Sequence, residues 1–513
     1  MRRETVSDSS GGAPHPLRFS PCTVALPVTA PVPARLPLHP PLQITRWGAY
    51  SLMSAALAAA VLLKGGVYPQ QWVWSALCIS AATVLALSAP ATRKQLRLGD
   101  KWGLGAMGIL LAWMLLQMAP LPPVLVERLS PEHWQAVAFS RAVTGQETSA
   151  WVSLSAAPSA TFGRLLDVVP AVAAFVVASE MAWWWRNRIW IAVAPVLCVA
   201  FCESLLGLVQ FHFMGAVDGR TGSASGTYVN RNHFAGLLEM AFPIAVALAM
   251  AAWRKGAMRS DQTRAGHEES DHTGGPSLRL AILLATSACL LAGVVVSQSR
   301  MGFISTLAGA GCSMLIVPLS LEEVGDKSQN QARRPRWRLA WRWAVPLALP
   351  LAILLLLPTR ELILRFADMA STQEVSQDDR VKIWRDTLHV IEAYKWTGCG
   401  MGAFERGMFR YQTAAPLNTV DFAHNDFLQI LAELGIPGGL LAGALAAWIA
   451  ARALAVVLWR RGAKNWELAI GLFASLATVG VHSLADFNLY IPANALALAW
   501  ISGVAVSPGL RWR

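Results

Sequence analysis

A histidine followed closely by polar side chains stands just before an apolar stretch long enough to cross a membrane. His424 is of the residue type that most often acts as a general base near neutral pH. Asp426, Gln429 and Glu433 are spaced by three and four, so they share one face of a helix. A capping box, with Asp426 as N-cap and Gln429 three residues on, would explain two of them but not His424 or Asn425. We therefore expect a catalytic role for His424.

The stretch Gly219–His233, which is rich in Gly, Ser and Thr, has two possible explanations. Its glycines would allow a tight backbone whose N–H groups, together with Arg220 and a helix N-terminus, suit a phosphate. It is equally well explained as an interfacial loop in which Asn230 or Asn232 caps the next helix. The residue types alone leave both explanations open.

Arg300 follows Ser299 directly and stands between two apolar runs. Its side chain would either snorkel to the lipid headgroups or bind a diphosphate bidentately with a charge that does not titrate. His482 and Asp486 are four residues apart, so each could orient the other near His424 or form an ordinary structural hydrogen bond.

The composition is that of an integral membrane protein. Of 513 residues, 54% are hydrophobic and only 14% are charged, whereas about a quarter of the residues in a soluble protein are charged. A helix needs about 20 apolar residues to cross a bilayer, and by this measure the sequence predicts an all-α bundle of about twelve transmembrane helices. They lie near residues 47–64, 69–90, 102–123, 165–185, 189–213, 229–253, 280–297, 301–319, 343–358, 437–456, 466–484 and 491–508.

Positive charges predict the orientation of this bundle. With both termini in the cytoplasm, the inner segments hold 28 of the 43 Lys and Arg residues, as the positive-inside rule requires. Arg220, Arg300, Arg380 and His424 then lie together on the outer, extracytoplasmic side. The orientation was assigned from the Lys and Arg counts alone, so the placement of these four residues on one side is an independent observation.

Four regions follow from these segments. We expect a disordered, Pro-rich cytoplasmic tail at 1–46, about nine spans at 47–358, an outer loop at 359–436 and about three spans at 437–513. Within the loop, residues 380–394 have the apolar spacing of an amphipathic helix, with Val381, Trp384, Leu388 and Ile391 as its apolar side. An outer segment, 124–164, is expected to pack beneath this loop.

The motifs taken together resemble the O-antigen ligase and O-antigen polymerase superfamily of bacterial inner-membrane proteins. They cover about residues 150–490 in the family's order. The matching stretches are Gly222–Gly236, Ser297–Gly302, Arg380 with Trp384, Gly398–Phe404, His424–Gln429 and Glu433–Gly438.

The resemblance implies a GT-C-like helical bundle that transfers a glycan from an undecaprenyl-diphosphate carrier to a hydroxyl group. The acceptor would be lipid A-core for a ligase, a growing glycan for a polymerase or a protein side chain for an O-oligosaccharyltransferase. By resemblance, Arg220, Arg300 and Arg380 would bind the diphosphate and His424 would be the essential histidine. The residues expected to support them are Asn230, Asn232, His233, Ser299, Asn425, Asp426, Glu433, His482 and Asp486.

We predict an inverting transfer that uses neither a metal ion nor another cofactor, with membrane lipids and lipid-linked glycans as partners and no nucleic acid. The sequence contains no Walker-type phosphate loop or HExxH motif, which argues against an ATP-driven pump and a zinc protease. A transporter of lipid or polysaccharide is the competing prediction. It is favoured by Glu203 and Glu239, because ionisable side chains within spans often mark a transport path.

Overall fold

The computed structural model describes residues 40–88, 101–147, 150–214, 223–264, 275–321, 377–413, 419–460 and 463–511. Arg220, the predicted span 343–358 and nearly all of the N-terminal tail lie outside these ranges. Within them the chain is helical, and its β-structure is a single bridge between Leu121 and Val152.

The helices are numbered in chain order within the described ranges. They are α1 (Pro40–Leu62), α2 (Pro69–Ser88), α3 (Lys101–Met118), α4 (Pro123–Leu129), α5 (Pro131–Thr144), α6 (Pro158–Trp184), α7 (Trp190–Val209), α8 (Arg231–Arg264), α9 (Gly275–Val296), α10 (Arg300–Leu321), α11 (Gln377–Ala393), α12 (Phe404–Met408), α13 (Asp426–Trp459), α14 (Trp466–His482) and α15 (Pro492–Val506). Short 3₁₀ turns are formed by Lys64–Gly66, Asn488–Tyr490 and Pro508–Arg511.

Seven of these helices are long and apolar enough to cross a membrane: α2, α3, α6, α7, α8, α9 and α13. The helices α14 and α15 are apolar but shorter. The predicted all-α membrane fold is therefore confirmed. Eleven of the twelve predicted segments coincide with helices, while the number of spans stays a prediction.

Helix α8 forms the centre of the bundle. Within its membrane-length part, Arg231–Gly256, 89% of the residues in an apolar stretch of 18 are buried, and α7, α9, α10 and α14 pack around it. Small residues allow these close contacts, because a Cβ on Gly471 of α14 would lie 2.6 Å from the Cβ of Ala247. Polar side chains on α8 are consequently enclosed by other helices.

Helix α11 confirms the helix predicted in the loop, but the predicted apolar side is wrong. Val381 and Leu388 are exposed, whereas Ile383 and Val390 are buried. Asp386 sets this rotation, because its carboxylate accepts hydrogen bonds of 2.7 Å from both the backbone N–H and the hydroxyl of Thr413. A buried, hydrogen-bonded carboxylate on the packed face has thus overridden the apolar pattern.

The segment between α3 and α6 packs against the loop region, as predicted. Val126, Val152 and Leu154 form a small apolar core. The backbone N–H of Ala156 donates to the carbonyl of Cys399 at 2.8 Å, and Arg410 forms an ion pair with Glu132 at 3.4 Å. The described part of the loop therefore packs against this segment.

Helix α13 has a sharp kink at Gly435, where φ is 70° and ψ is 176°. This conformation is open almost only to glycine, and the predicted end of the short helix at Gly435 is confirmed. Just before the kink, the carbonyls of Ala432 and Glu433 accept hydrogen bonds from the N–H groups of Cys399 and Gly400, at 2.9 and 3.1 Å. The kink thus fixes residues 426–434 against the Gly398–Gly402 turn.

Candidate active site

The N-terminus of α13 sets the position of His424. Asn425 is the N-cap, and its Oδ1 accepts a hydrogen bond from the backbone N–H of Leu428 at 3.0 Å. The predicted capping role of Asp426 is therefore wrong by one residue, because Asn and Asp cap helices equally well and their order cannot be read from sequence. His424 precedes the cap with φ of 49°, in the left-handed region that few side chains adopt.

Asp426 is a buried member of the site and not a cap. Its Oδ2 accepts a hydrogen bond from the hydroxyl of Ser483 at 2.8 Å. Its backbone N–H donates to the carbonyls of Ser483 and Asp486, at 2.9 and 3.1 Å, and Asn425 Nδ2 donates to the carbonyl of Leu484 at 2.9 Å. The residues around His424 are thereby fixed to the turn that follows α14.

Asp486 in that turn faces histidines from three parts of the chain. Its Oδ1 lies 4.0 Å from Nε2 of His233, and its Oδ2 lies 3.7 Å from Nε2 of His482. Burial alone would raise the pKa of Asp486, but the approach of His482 and the positive potential of His233 and His424 hold that pKa well below its usual range. Asp486 is therefore a carboxylate beside the candidate base.

His482 is held from its other side by Glu239 of α8. Its Nδ1 lies 2.8 and 2.9 Å from the two carboxylate oxygens of Glu239, and the hydroxyl of Ser305 in α10 donates to Glu239 at 2.6 Å. Glu239 was not among the residues predicted for the site. Its position two turns after His233 on a span was the available signal, since ionisable side chains in spans face the bundle interior.

Aromatic rings pack against the histidines of this cluster. The ring of Phe487 lies 5.0 Å from that of His424 and 4.8 Å from that of His233, both edge-on. Phe422 stacks on Phe487 at 4.1 Å, and Tyr490 lies 5.8 Å from Phe422. The histidines are therefore packed against apolar rings on one side.

The three predicted arginines have different outcomes. Arg380 of α11 joins the cluster, because its Nη1 donates to the carbonyl of Ala485 at 3.1 Å, one residue before Asp486. Arg300 is the first residue of α10 and is partly buried. It is linked to the histidines through helix packing, since a Cβ on Gly302 would lie 2.6 Å from the Cβ of Ala235, two residues after His233. Arg220 lies outside the described residues.

The described part of the glycine-rich stretch is a braced loop. The N–H of Gly226 donates to Gln210 Oε1 at 2.8 Å, and the N–H of Thr227 donates to Glu203 Oε2 at 2.9 Å. These amides are therefore not available for a phosphate, which favours the interfacial-loop explanation for the described part of the stretch. Glu203 binds this loop and Glu239 binds His482. Because both carboxylates have structural partners, they no longer favour the prediction of a transporter.

The supporting residues beside this loop and before α10 act locally. Asn230 caps α8, because its Oδ1 accepts a hydrogen bond from the N–H of Asn232 at 2.8 Å. Ser299 accepts a hydrogen bond from the N–H of Gly302 at 3.1 Å in the first turn of α10. Both side chains therefore stabilise the first turn of a helix that begins near the cluster.

Glu433 joins the site to a second polar group. Its Oε2 accepts a hydrogen bond from the hydroxyl of Tyr490 at 2.7 Å, and its Oε1 accepts one from Gln429 Nε2 at 3.0 Å. Arg164 of α6 lies over the ring of Tyr490 at 4.7 Å and donates to the Tyr490 carbonyl at 3.0 Å. No local pattern of residues indicates Arg164 or Tyr490, because they meet Glu433 only through tertiary packing.

An apolar cleft of about 270 Å³ begins at this second group. It follows α6 from Arg164 to Phe175 and is closed by side chains of α3, α13 and α15. Eleven residues of helix correspond to about 16 Å. The cleft therefore runs parallel to the spans, with polar side chains at one end.

The described geometry can be compared with known protein families. Residues 285–443 match the family model described as O-antigen ligase, a region that includes Arg300, Arg380 and His424. The chain has no significant match among curated proteins. The match confirms the resemblance predicted from the motifs: residues 285–443 are similar to the O-antigen ligase family.

Proposed function

We propose that this protein transfers a glycan from an undecaprenyl-diphosphate carrier to an acceptor hydroxyl, with inversion at the anomeric carbon. The observation that carries the proposal is the convergence of His424, Asp486 and Arg380 at the turn after α14. A base, a carboxylate to stabilise its protonated form and a fixed cation are what such a transfer needs. The family match supports a lipid-linked glycan as substrate.

In the proposed reaction, His424 removes the proton from the acceptor hydroxyl. The hydroxyl oxygen forms a bond to the anomeric carbon as the bond from that carbon to the diphosphate oxygen breaks. The electron pair leaves with the diphosphate, and the proton stays on His424 until it is released to water. No nucleotide takes part, because the lipid diphosphate is already an activated leaving group.

Arginines would stabilise the charge that grows on the leaving diphosphate. Arg300 and Arg380 are supported by their positions at the start of α10 and beside Ala485, and Arg220 rests on the resemblance alone. A guanidinium stays charged at every working pH and offers paired donors to phosphoryl oxygens. Each such group contributes about 10²- to 10³-fold in rate in related sites.

The cleft along α6 fits the prenyl chain of the donor. It is apolar, follows the spans and ends at Tyr490. Ring contacts of 5.8, 4.1 and 5.0 Å lead from there through Phe422 and Phe487 to His424. A lipid in the cleft would thus have its head group near the candidate base.

The acceptor that we propose first is lipid A-core, which makes the protein a ligase. A growing glycan, as for a polymerase, and a protein side chain are the alternatives. We place the protein in the bacterial inner membrane with its site on the periplasmic face and both termini in the cytoplasm. The distribution of Lys and Arg supports this orientation.

Glycan transfer by the purified protein tests the proposal. His424→Ala and Arg380→Ala are compared with His389→Ala and Arg385→Ala, which change exposed side chains of the same types on α11. We expect losses of about 10²- to 10⁴-fold for His424→Ala and about 10²- to 10³-fold for Arg380→Ala. The two controls should keep normal activity.

Substantial activity in His424→Ala would exclude the histidine as the base. Loss of activity in EDTA, with recovery on adding a divalent cation, would exclude the metal-free mechanism. Deletion in the native bacterium separates the acceptors: loss of a ligase leaves lipid-linked polymer, whereas loss of a polymerase leaves single repeat units on the acceptor.

A further inference from the structure

Four buried side chains form a continuous series through the centre of the bundle. The hydroxyl of Ser305 donates to Glu239, Glu239 contacts Nδ1 of His482, and Nε2 of His482 faces Asp486. The exposed fractions of Glu239, His482 and Asp486 are 1%, 0% and 1%. These residues come from α8, α10, α14 and the following turn, so the series connects separate elements.

The imidazole of His482 lies between two carboxylates. Ionised carboxylates only accept hydrogen bonds, and an imidazole can offer N–H groups on both sides only when both its nitrogens are protonated. A buried carboxylate without a counter-charge is strongly unfavourable. The cavity beside Glu239 and His482 measures about 10 Å³, room for no more than one water. His482 is therefore the group that compensates these charges.

Other ionisable groups face the series from each neighbouring element. His233 of α8 lies 4.0 Å from Asp486, and His424 adds positive potential there. Asp426 of α13 lies on the other side of the turn, where its backbone N–H donates to the carbonyl of Asp486 at 3.1 Å. With His482 holding one positive charge against Glu239 and Asp486, one negative charge remains uncompensated until a proton reaches His233 or His424.

We propose that Glu239 and His482 are positioning residues that keep Asp486 ionised and directed at His424. Glu239 holds the second proton on His482, and His482 in turn lets Asp486 remain a carboxylate within an apolar surrounding. Asp486 then stabilises the imidazolium that forms when His424 accepts the acceptor's proton. This inference rests on the proposed function and adds Glu239 to its machinery.

The test is the pH dependence of glycan transfer by Glu239→Gln and His482→Gln. Both changes withdraw the positive charge from His482, so Asp486 takes up a proton at higher pH. We expect kcat to fall about 10- to 100-fold, as for other groups that orient a reacting residue, with KM unchanged. The acid limb of the kcat profile should move to higher pH by about one unit or more. A purely structural role would lower the yield of folded protein without moving this limb.

Two further variants complete the design. Glu203→Gln removes another buried carboxylate, which binds Thr227 and not a histidine, and should leave the acid limb unchanged. Ser305→Ala removes the hydroxyl that contacts Glu239 and the carbonyls of Met301 and Gly302 in its own helix, and it leaves both ionisable groups in place. It should give a milder shift in the same direction and serves if the Gln variants do not fold.

The outcomes separate this inference from the proposed function. An unmoved acid limb in both Glu239→Gln and Ser305→Ala, with His424→Ala inactive, overturns the positioning role alone. Full activity in His424→Ala overturns the proposed base, whatever the Glu239 variants do.

Discussion

Replacing His424 by glycine and by alanine separates its chemistry from its backbone conformation. The φ of His424 is 49°, and a residue with a Cβ in the left-handed region costs about 1–2 kcal/mol relative to glycine. Glycine loses about 0.4–1 kcal/mol of this advantage through the greater freedom of its unfolded chain. We therefore expect His424→Gly to be more stable than His424→Ala by about 1 kcal/mol, whereas both variants lose the base and its activity.

The assay is thermal unfolding in detergent, run beside glycan transfer on the same preparations. The expected difference in Tm is no more than about 2 to 4 °C, so replicate measurements are needed. Ala444→Gly, at an exposed position within α13, controls for glycine itself and should destabilise by about 0.5–1 kcal/mol. If His424→Gly is no more stable than His424→Ala, the left-handed conformation of His424 is not a source of strain.

Three other perturbations test how the site is held and filled. Asn425→Ala removes both the cap of α13 and the hydrogen bond to the carbonyl of Leu484, and should lower the free energy of unfolding by about 1–3 kcal/mol. Asn425→Ser keeps the cap and should lose less. Equal losses of stability in thermal unfolding would contradict a separate contribution of the cap. Asp486→Asn should flatten the acid side of the profile of stability against pH. The pKa of Asp486 is lower in the folded than in the unfolded protein. The carboxylate therefore stabilises the fold above its unfolded pKa of about 4, and this stabilisation is lost as the pH falls below that value. Ala171→Trp fills the cleft along α6 and should raise KM about tenfold or more for a long-chain lipid donor but not for a short-chain one. Leu166→Trp, on the exposed side of the same helix, is the control. Equal effects of Ala171→Trp on both donors would argue against a prenyl chain in the cleft.

Local features of the fold were predictable because they depend on neighbouring residues. Apolar runs of about 20 residues located the helices, and Gly435 located the kink in α13. The predictions failed where two local signals were nearly equal. Asn425 and Asp426 are both good N-caps, and Asp386 turned α11 away from its most apolar side by binding Thr413.

The site itself was predictable only in its separate parts. His424, Arg380, His482 and Asp486 were recognisable from their types and spacing, and the structure brings them to one turn. Partners distant in sequence were not, because no local pattern joins Glu239 to His482 across 243 residues. The same holds for the hydrogen bond from Tyr490 to Glu433, which depends on how α13 and α15 pack.

The bond between Glu239 and His482 has a consequence for how the protein is made. The two residues are 243 positions apart, and synthesis proceeds at about 5–20 residues per second. Glu239 thus enters the membrane about 10 to 50 s before its partner exists, although an ionisable side chain in a span is unfavourable there. During this interval α8 is an incomplete span that depends on protonation of Glu239 or on the insertion machinery. Truncation before α14 should therefore leave a chain that the cell's membrane quality control removes.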